Sequence, residues 1–147
     1  MRYLLDTNTC IAILGDGWGV LTHSAQTTPV ADLAVSAITV WELDGGCELS
    51  ALPAENRRRL DALLTDIHFL PFDRREARRA GELYALLEQS GMRLQTADCL
   101  IAGHALATAL TLVSQDKDFS RVAGLAVVDW LPSGYRRGRK SPQVPTS

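Results

Sequence analysis

Cysteine, histidine, net charge and long apolar runs are all scarce in this chain, and each scarcity removes a class of chemistry. Cys10, Cys47 and Cys99 are the 3 cysteines among 147 residues. Their number is odd, no CxxC pair exists, and they lie in apolar helical contexts. A disulfide framework and a zinc finger are thereby excluded, leaving reduced, mostly buried thiols as the expectation. His23, His68 and His104 are not spaced as zinc ligands either. The longest apolar stretch, from Cys99 to Val113, is interrupted by Gly103 and His104 and is too short to span a bilayer. The first strand is expected to begin at Arg2, which leaves no room for a signal peptide, so the expected location is cytoplasmic. The formal net charge is only −2. It is unevenly spread: Arg136, Arg137, Arg139 and Lys140 form a basic tail, and the rest of the chain carries 11 basic against 17 acidic residues. A negative body argues against a protein that coats nucleic acid along a broad basic face, while leaving room for an enzyme that reaches RNA through a few arginines and bound cations.

What is present is an alternation of strand-like and helix-like segments. Tyr3 to Leu5 reads as a short buried strand, followed by helical spacing from Thr7 to Leu14 and a loop opened by Gly15, Gly17 and Gly19. Leu33 to Ser36 reads as the second strand and Thr39 to Leu49 as a helix. Pro53 suits the start of a helix that carries Leu60, Leu63, Leu64 and Ile67 at helical spacing. His68 to Phe72 is extended, Asp73 caps a helix to about Gln89, and Gly91 ends it. Thr96 to Ala109 is a further helix, Thr111 to Ser114 a strand, and Leu125 to Val128 the last strand. This order implies a three-layer α/β/α sandwich around a central, mostly parallel, twisted sheet. One domain is expected over residues 1–131, and 132–147 reads as a basic tail without apolar periodicity, expected to be disordered. No internal repeat is visible.

Four acids, Asp6, Glu42, Asp98 and Asp116, each read as following a short apolar run. Residues past the carboxyl ends of parallel strands share one rim, where ligands bind. Taken singly, each acid has a local explanation. Asp6 suits an N-cap, Glu42 completes a capping box with Thr39, Asp98 suits the first turn after a cap at Thr96, and Asp116 suits a polar turn. Taken together they gather charge at one rim. Two carboxylates about 4 Å apart repel by about 4 kcal/mol at an effective dielectric near 20. Such a cluster takes up protons or holds metal, and oxygen-only ligands select Mg²⁺ or Mn²⁺ over zinc.

Four runs then carry a family resemblance: MRYLLDTN at residues 1–8, SAITVWEL at 36–43 with Gly46 behind it, ADCLIAGHAL at 97–106, and LVSQDKDF at 112–119 followed by Gly124-Leu125 and Asp129-Trp130. In order and over residues 1 to about 131 they resemble PIN-domain ribonucleases of the VapC toxin type, found in type II toxin–antitoxin systems. The resemblance implies a Mg²⁺-dependent endoribonuclease, usually a homodimer, that is silenced by a small antitoxin protein. It implies Asp6 and Asp98 as the principal metal ligands, with Glu42 and Asp116 as the remaining acids of a catalytic quartet. Asn8 and Ser114 are implied as polar residues that orient the site. Trp41 stands where the family commonly has a small residue.

On that implication a metal-bound water attacks an RNA phosphodiester while Glu42 or Asp116 takes its proton, leaving a 5′-phosphate and a 3′-hydroxyl. Asp118 competes with Asp116 for the fourth position and reads better as a turn or cap residue. His104 falls six residues after Asp98, on another helical face, and reads as a packed or surface side chain. Arg57 to Arg59 and the group Arg74, Arg75, Arg78 and Arg79 open two helices and are open to either phosphate or antitoxin contact. The rival functions are a catalytically idle PIN module that only binds an antitoxin, and a Mg²⁺ phosphatase. The second is weak, because Asn8 stands where that class needs a second Asp.

Overall fold

Strand segments that are apolar on both faces belong in a sheet covered on both faces, and the strands of this chain meet that condition. Leu4, Leu5, all of Leu33–Ser36, Leu112 and Val113 are buried. The computed structural model describes residues 1–135; the basic run from Arg136 to Lys140 lies outside the described residues. The elements are β1 (Tyr3–Leu5), α1 (Thr7–Asp16), α2 (His23–Gln26), β2 (Leu33–Ser36), α3 (Ala37–Leu49), α4 (Pro53–Asp66), β3 (His68–Leu70), α5 (Arg74–Ser90), α6 (Thr96–Thr108), β4 (Thr111–Val113) and β5 (Val127–Val128). Short 3-10 turns occupy Trp18–Val20, Val30–Asp32 and Lys117–Arg121.

The five strands form one sheet in the order β3-β2-β1-β4-β5, and every pairing is parallel. The pleat sends alternate side chains to opposite faces. Leu5, Val35 and Val113 join Cys10, Ile13, Leu43, Leu60 and Leu63 from α1, α3 and α4 in one core. Leu4, Ala34 and Leu112 join Leu83, Leu87, Ile101, Ala102 and Ala105 from α5 and α6 in the other. These are the three layers that the strand–helix alternation implied. The cysteines are free and buried, as expected. Among the described residues no helix is long and apolar enough to cross a membrane.

Two helix starts differ from the expectation. Helix α3 begins at Ala37, not after Thr39: Ser36 is its N-cap and accepts from the Ile38 amide at 3.0 Å, while Thr39 is fully buried inside the first turn. The Thr39–Glu42 capping box therefore does not form. A serine at the very end of β2 can cap at once, so the helix needs no intervening loop. Helix α6 begins with Thr96 itself and not after it; Gln95 occupies the N-cap and makes no side-chain cap bond. Elsewhere the punctuation follows the sequence. The Asp73 amide donates to Glu76 Oε2 at 2.9 Å, and Gly91 ends α5 at φ +70°, a conformation with no steric cost for glycine.

The chain leaves β1 towards β2 and β3 on one side and later fills the other side with β4 and β5. The order thus reverses between β1 and β4, and a crevice opens beyond the carboxyl ends of those two strands.

Candidate active site

A cleft of about 860 Å³ lies at that reversal, and its lining includes Asp6, Glu42, Asp98, Asp116 and Asp118. The four acids singled out from the sequence come together there, by routes that differ from the one expected. Asp6 directly follows β1 and Asp116 stands three residues past β4. Glu42 sits a turn and a half into α3, and Asp98 is the third residue of α6, preceded by irregular backbone rather than by a strand. Two acids therefore come from the sheet rim and two from the helices that wall it.

Each acid is held in place. Asp6 is 4% exposed and caps α1, its Oδ1 accepting from the Thr9 amide at 2.8 Å; its own amide donates to the Val113 carbonyl at 3.0 Å, tying β1 to β4 at the rim. The Thr7 hydroxyl donates to Glu42 Oε1 at 2.6 Å and so fixes an α3 side chain from α1. Ser114, buried at the end of β4, accepts from the Asp116 amide at 3.0 Å, and Asp116 Oδ1 accepts from the Asp118 amide at 2.9 Å. Asp118 forms an ion pair with Arg121 at 2.6 Å, which engages it in its own turn. Asn8 also lines the cleft.

The electrostatics are those of unbalanced acids. Burial is the main cause that pushes the Asp98 carboxyl up, to about 6, followed by the charges of Asp116, Glu42, Asp6 and Asp118. Asp6 is also raised, chiefly by burial, with Asp116 adding to it and hydrogen bonds from Ser114 and Thr9 opposing. Among the described residues no Cys or His lines the cleft, so the donor set is all oxygen and suits a hard divalent cation. Among the described residues no three such side chains converge on one point. The acids line the cleft without forming such a group. In donor chemistry, and in the repulsion that a cation would relieve, the residues fit Mg²⁺ or Mn²⁺.

Other residues fall on either side of expectation. His104 is 1% exposed, with Nδ1 2.8 Å from Ser36 Oγ and its ring edge-on to Phe72; it is packed and takes no place in the cleft. The arginine groups on α4 and α5 lie away from the cleft, and several are engaged: Arg57 pairs with Asp44 and Glu48, Arg59 with Glu55, Arg75 with Glu76, and Arg78 and Arg79 with Glu82. Trp41 is 69% exposed on α3. Two residues of the site were missed in the sequence. Thr7 gave only a helix-start signal, and Arg93, which lines the cleft, lies in a polar loop without periodicity.

Comparison with known proteins agrees with this fold. The PIN domain family matches residues 3–125. The chain is 31% identical over 132 residues to ribonuclease VapC2 of Rickettsia felis, covering 88% of this chain and 98% of that protein. It is 29% identical over 131 residues to the tRNA(fMet)-specific endonuclease VapC of Shigella flexneri, with the same coverage. Among solved structures, a chain of VapBC2 from Rickettsia felis bound to a DNA fragment from their promoter superimposes with a TM-score of 0.80 at 30% identity, over 88% of this chain and 99% of that one. A chain of DNA-bound VapBC from Salmonella typhimurium gives 0.82 at 28% identity, over 88% and 98%. With its parallel five-stranded sheet and four acids on one cleft, the chain belongs to the PIN-domain family and, within it, to the VapC proteins.

Proposed function

We propose that this VapC protein is a Mg²⁺-dependent endoribonuclease that hydrolyses RNA phosphodiester bonds in the cleft ringed by Asp6, Glu42, Asp98 and Asp116. The observation that carries the reading is the gathering of these four acids, from four separate elements, at the point where the strand order reverses. A protein stabilises such a concentration of like charge at a cost, which a bound cation offsets. The naming of its relatives as ribonucleases and endonucleases supports RNA as the substrate.

Asp6 and Asp98 would hold the ion: Asp6 is buried at the rim, and both carboxyls are raised by burial and by neighbouring acids, a cost that a cation relieves. When bound, Mg²⁺ would supply a more acidic water and neutralise charge on the phosphate oxygens. The remaining work belongs to the chain. Glu42, fixed by the Thr7 hydroxyl, or Asp116, fixed by Ser114 through its backbone, would take a proton from the attacking water. The products are an RNA 5′-phosphate and a 3′-hydroxyl. Because its structural neighbours are VapBC complexes, we further propose a small antitoxin protein as the partner that silences the cleft, a homodimer as the assembly, and the cytoplasm as the place of action.

The test is cleavage of labelled RNA by the purified protein. Cleavage in Mg²⁺, its loss in EDTA, and its loss in Asp6→Asn and Asp98→Asn with unchanged circular dichroism are expected. Undiminished cleavage in EDTA or in either variant would sink the reading. Induced expression with mapping of new RNA 5′ ends gives the cellular counterpart; neither growth arrest nor new ends would favour the idle antitoxin-binding module instead.

A further inference from the structure

Among the described residues Arg93 is the one basic side chain lining the cleft, amid five carboxylates. Those neighbours make its situation unusual. Arg57, Arg75, Arg79 and Arg121 each hold a carboxylate partner; Arg93, like Arg58 and Arg74 on the helices away from the cleft, takes part in no ion pair or side-chain hydrogen bond among the described residues, although five carboxylates share its cleft. It is exposed, in the short irregular segment between Gly91 and the start of α6, five positions before Asp98. Leu94 and Gln95 of the same segment also line the cleft, so the segment forms a lip.

A polyanion approaching five carboxylates meets a repulsive field, and a cation at the mouth lowers that barrier. A free guanidinium is suited to this task, because its planar fork meets two phosphate oxygens at once. We propose that Arg93 is a substrate-positioning residue, binding a backbone phosphate of the RNA strand beside the scissile bond. The inference rests on the nuclease reading and adds a residue that the four acids do not include. Arg93 touches no reacting atom and acts by holding the strand over Asp98 and Asp116.

The test uses the full-length protein and a single-stranded RNA oligonucleotide, comparing wild type with Arg93→Ala and Arg93→Lys. Cleavage is measured in Mg²⁺ and binding in the Asp98→Asn background across a salt titration. Arg93→Ala is expected to raise KM about tenfold, the weight of one charge-assisted contact of about 1.4 kcal/mol, with kcat changed less than threefold. The slope of log affinity against log salt should flatten by about 0.7, the value for one phosphate contact on a single strand. Arg93→Lys should restore the slope and only part of the affinity, because the charge returns without the fork. A purely structural role would move neither the slope nor its rescue. Normal wild-type cleavage with unchanged KM and slope in Arg93→Ala overturns this proposal alone and leaves Arg93 to a protein partner. Wild-type protein inert on RNA overturns the nuclease reading and this proposal with it.

Discussion

Asp98 shows at the scale of one residue how a site can oppose the fold that carries it. Its carboxyl is raised to about 6 from an ordinary 3.8, first by burial and then by four neighbouring acids. A raised folded pKa means that the native state binds the proton more tightly than the unfolded chain. The resulting stabilisation is complete below pH 3.8 and disappears as pH rises through 6, so at neutral pH the charged group is a liability. Asp98→Asn should therefore raise the unfolding free energy at pH 7.5 in EDTA by about 1 kcal/mol, after discounting for partial exposure. The advantage should shrink as pH falls from 6 to 4, and thermal melts of both proteins across that range check it. An unchanged or lower melting temperature at pH 7.5 would show that the carboxylate is not repelled. Thr7 is the quieter case. Its hydroxyl holds Glu42 at 2.6 Å, and Thr7→Val keeps the shape while removing the donor. Cleavage should fall about tenfold, the weight of a hydrogen bond to a charged group, with little change in melting temperature; equal kcat in the variant would remove Thr7 from the site.

The α5–α6 pair governs behaviour at the scale of elements, because it sets where Asp98 stands. At Gly103 the two helices approach so closely that a Cβ would lie 2.5 Å from the Ala80 Cα and Cβ. A neighbouring backbone cannot give way as a flexible side chain can, so Gly103→Ala should cost about 1–3 kcal/mol by overpacking. It should also lower cleavage by displacing α6. Gly45, exposed on α3 with nothing within 4 Å of a built Cβ, is the opposite case: Gly45→Ala should stabilise by about 0.5–1 kcal/mol through helix propensity. Chemical denaturation of both variants reads the contrast, and equal effects would mean that helix approach does not matter. Element boundaries also show what the sequence hid. The strands and most helices were legible from apolar runs, Pro53, Asp73 and Gly91. The start of α3 was not, because Ser36 can serve equally as the last strand residue or as a cap, and only the pairing of β2 with β1 and β3 decides.

For the whole molecule, the proposed metal site would link ion binding to folding. The acids come from the residue after β1, from α3, from α6 and from the turn after β4, so an ion that binds all of them binds only the folded chain. At ten times its dissociation constant, Mg²⁺ should stabilise the protein by about 1.4 kcal/mol, or roughly 3–6 °C in melting temperature. That gain should be present at pH 7.5, much reduced at pH 5 where Asp98 holds a proton, and largely lost in Asp98→Asn. Equal shifts in all three conditions would point to ions binding elsewhere.

Much of this protein was settled by sequence alone, since apolar runs that match a parallel strand, helical spacing between them and strong caps act over a few residues and tolerate little else. The α/β/α layering follows from such local rules, whereas the four acids, each locally explicable as a cap or turn residue, stood out only through the family resemblance. Tertiary structure alone decided the rest. Whether Asp6, Glu42, Asp98 and Asp116 meet depends on strand order, and the reversal of that order beside β1 is a property of pairing between segments far apart in the chain. The same holds for the Thr7–Glu42 bond across 35 residues, for the burial of His104 against Ser36, and for the place of Arg93 on the lip. None of these contacts has a local signature, because each is made by side chains whose separation along the chain says nothing about their separation in space.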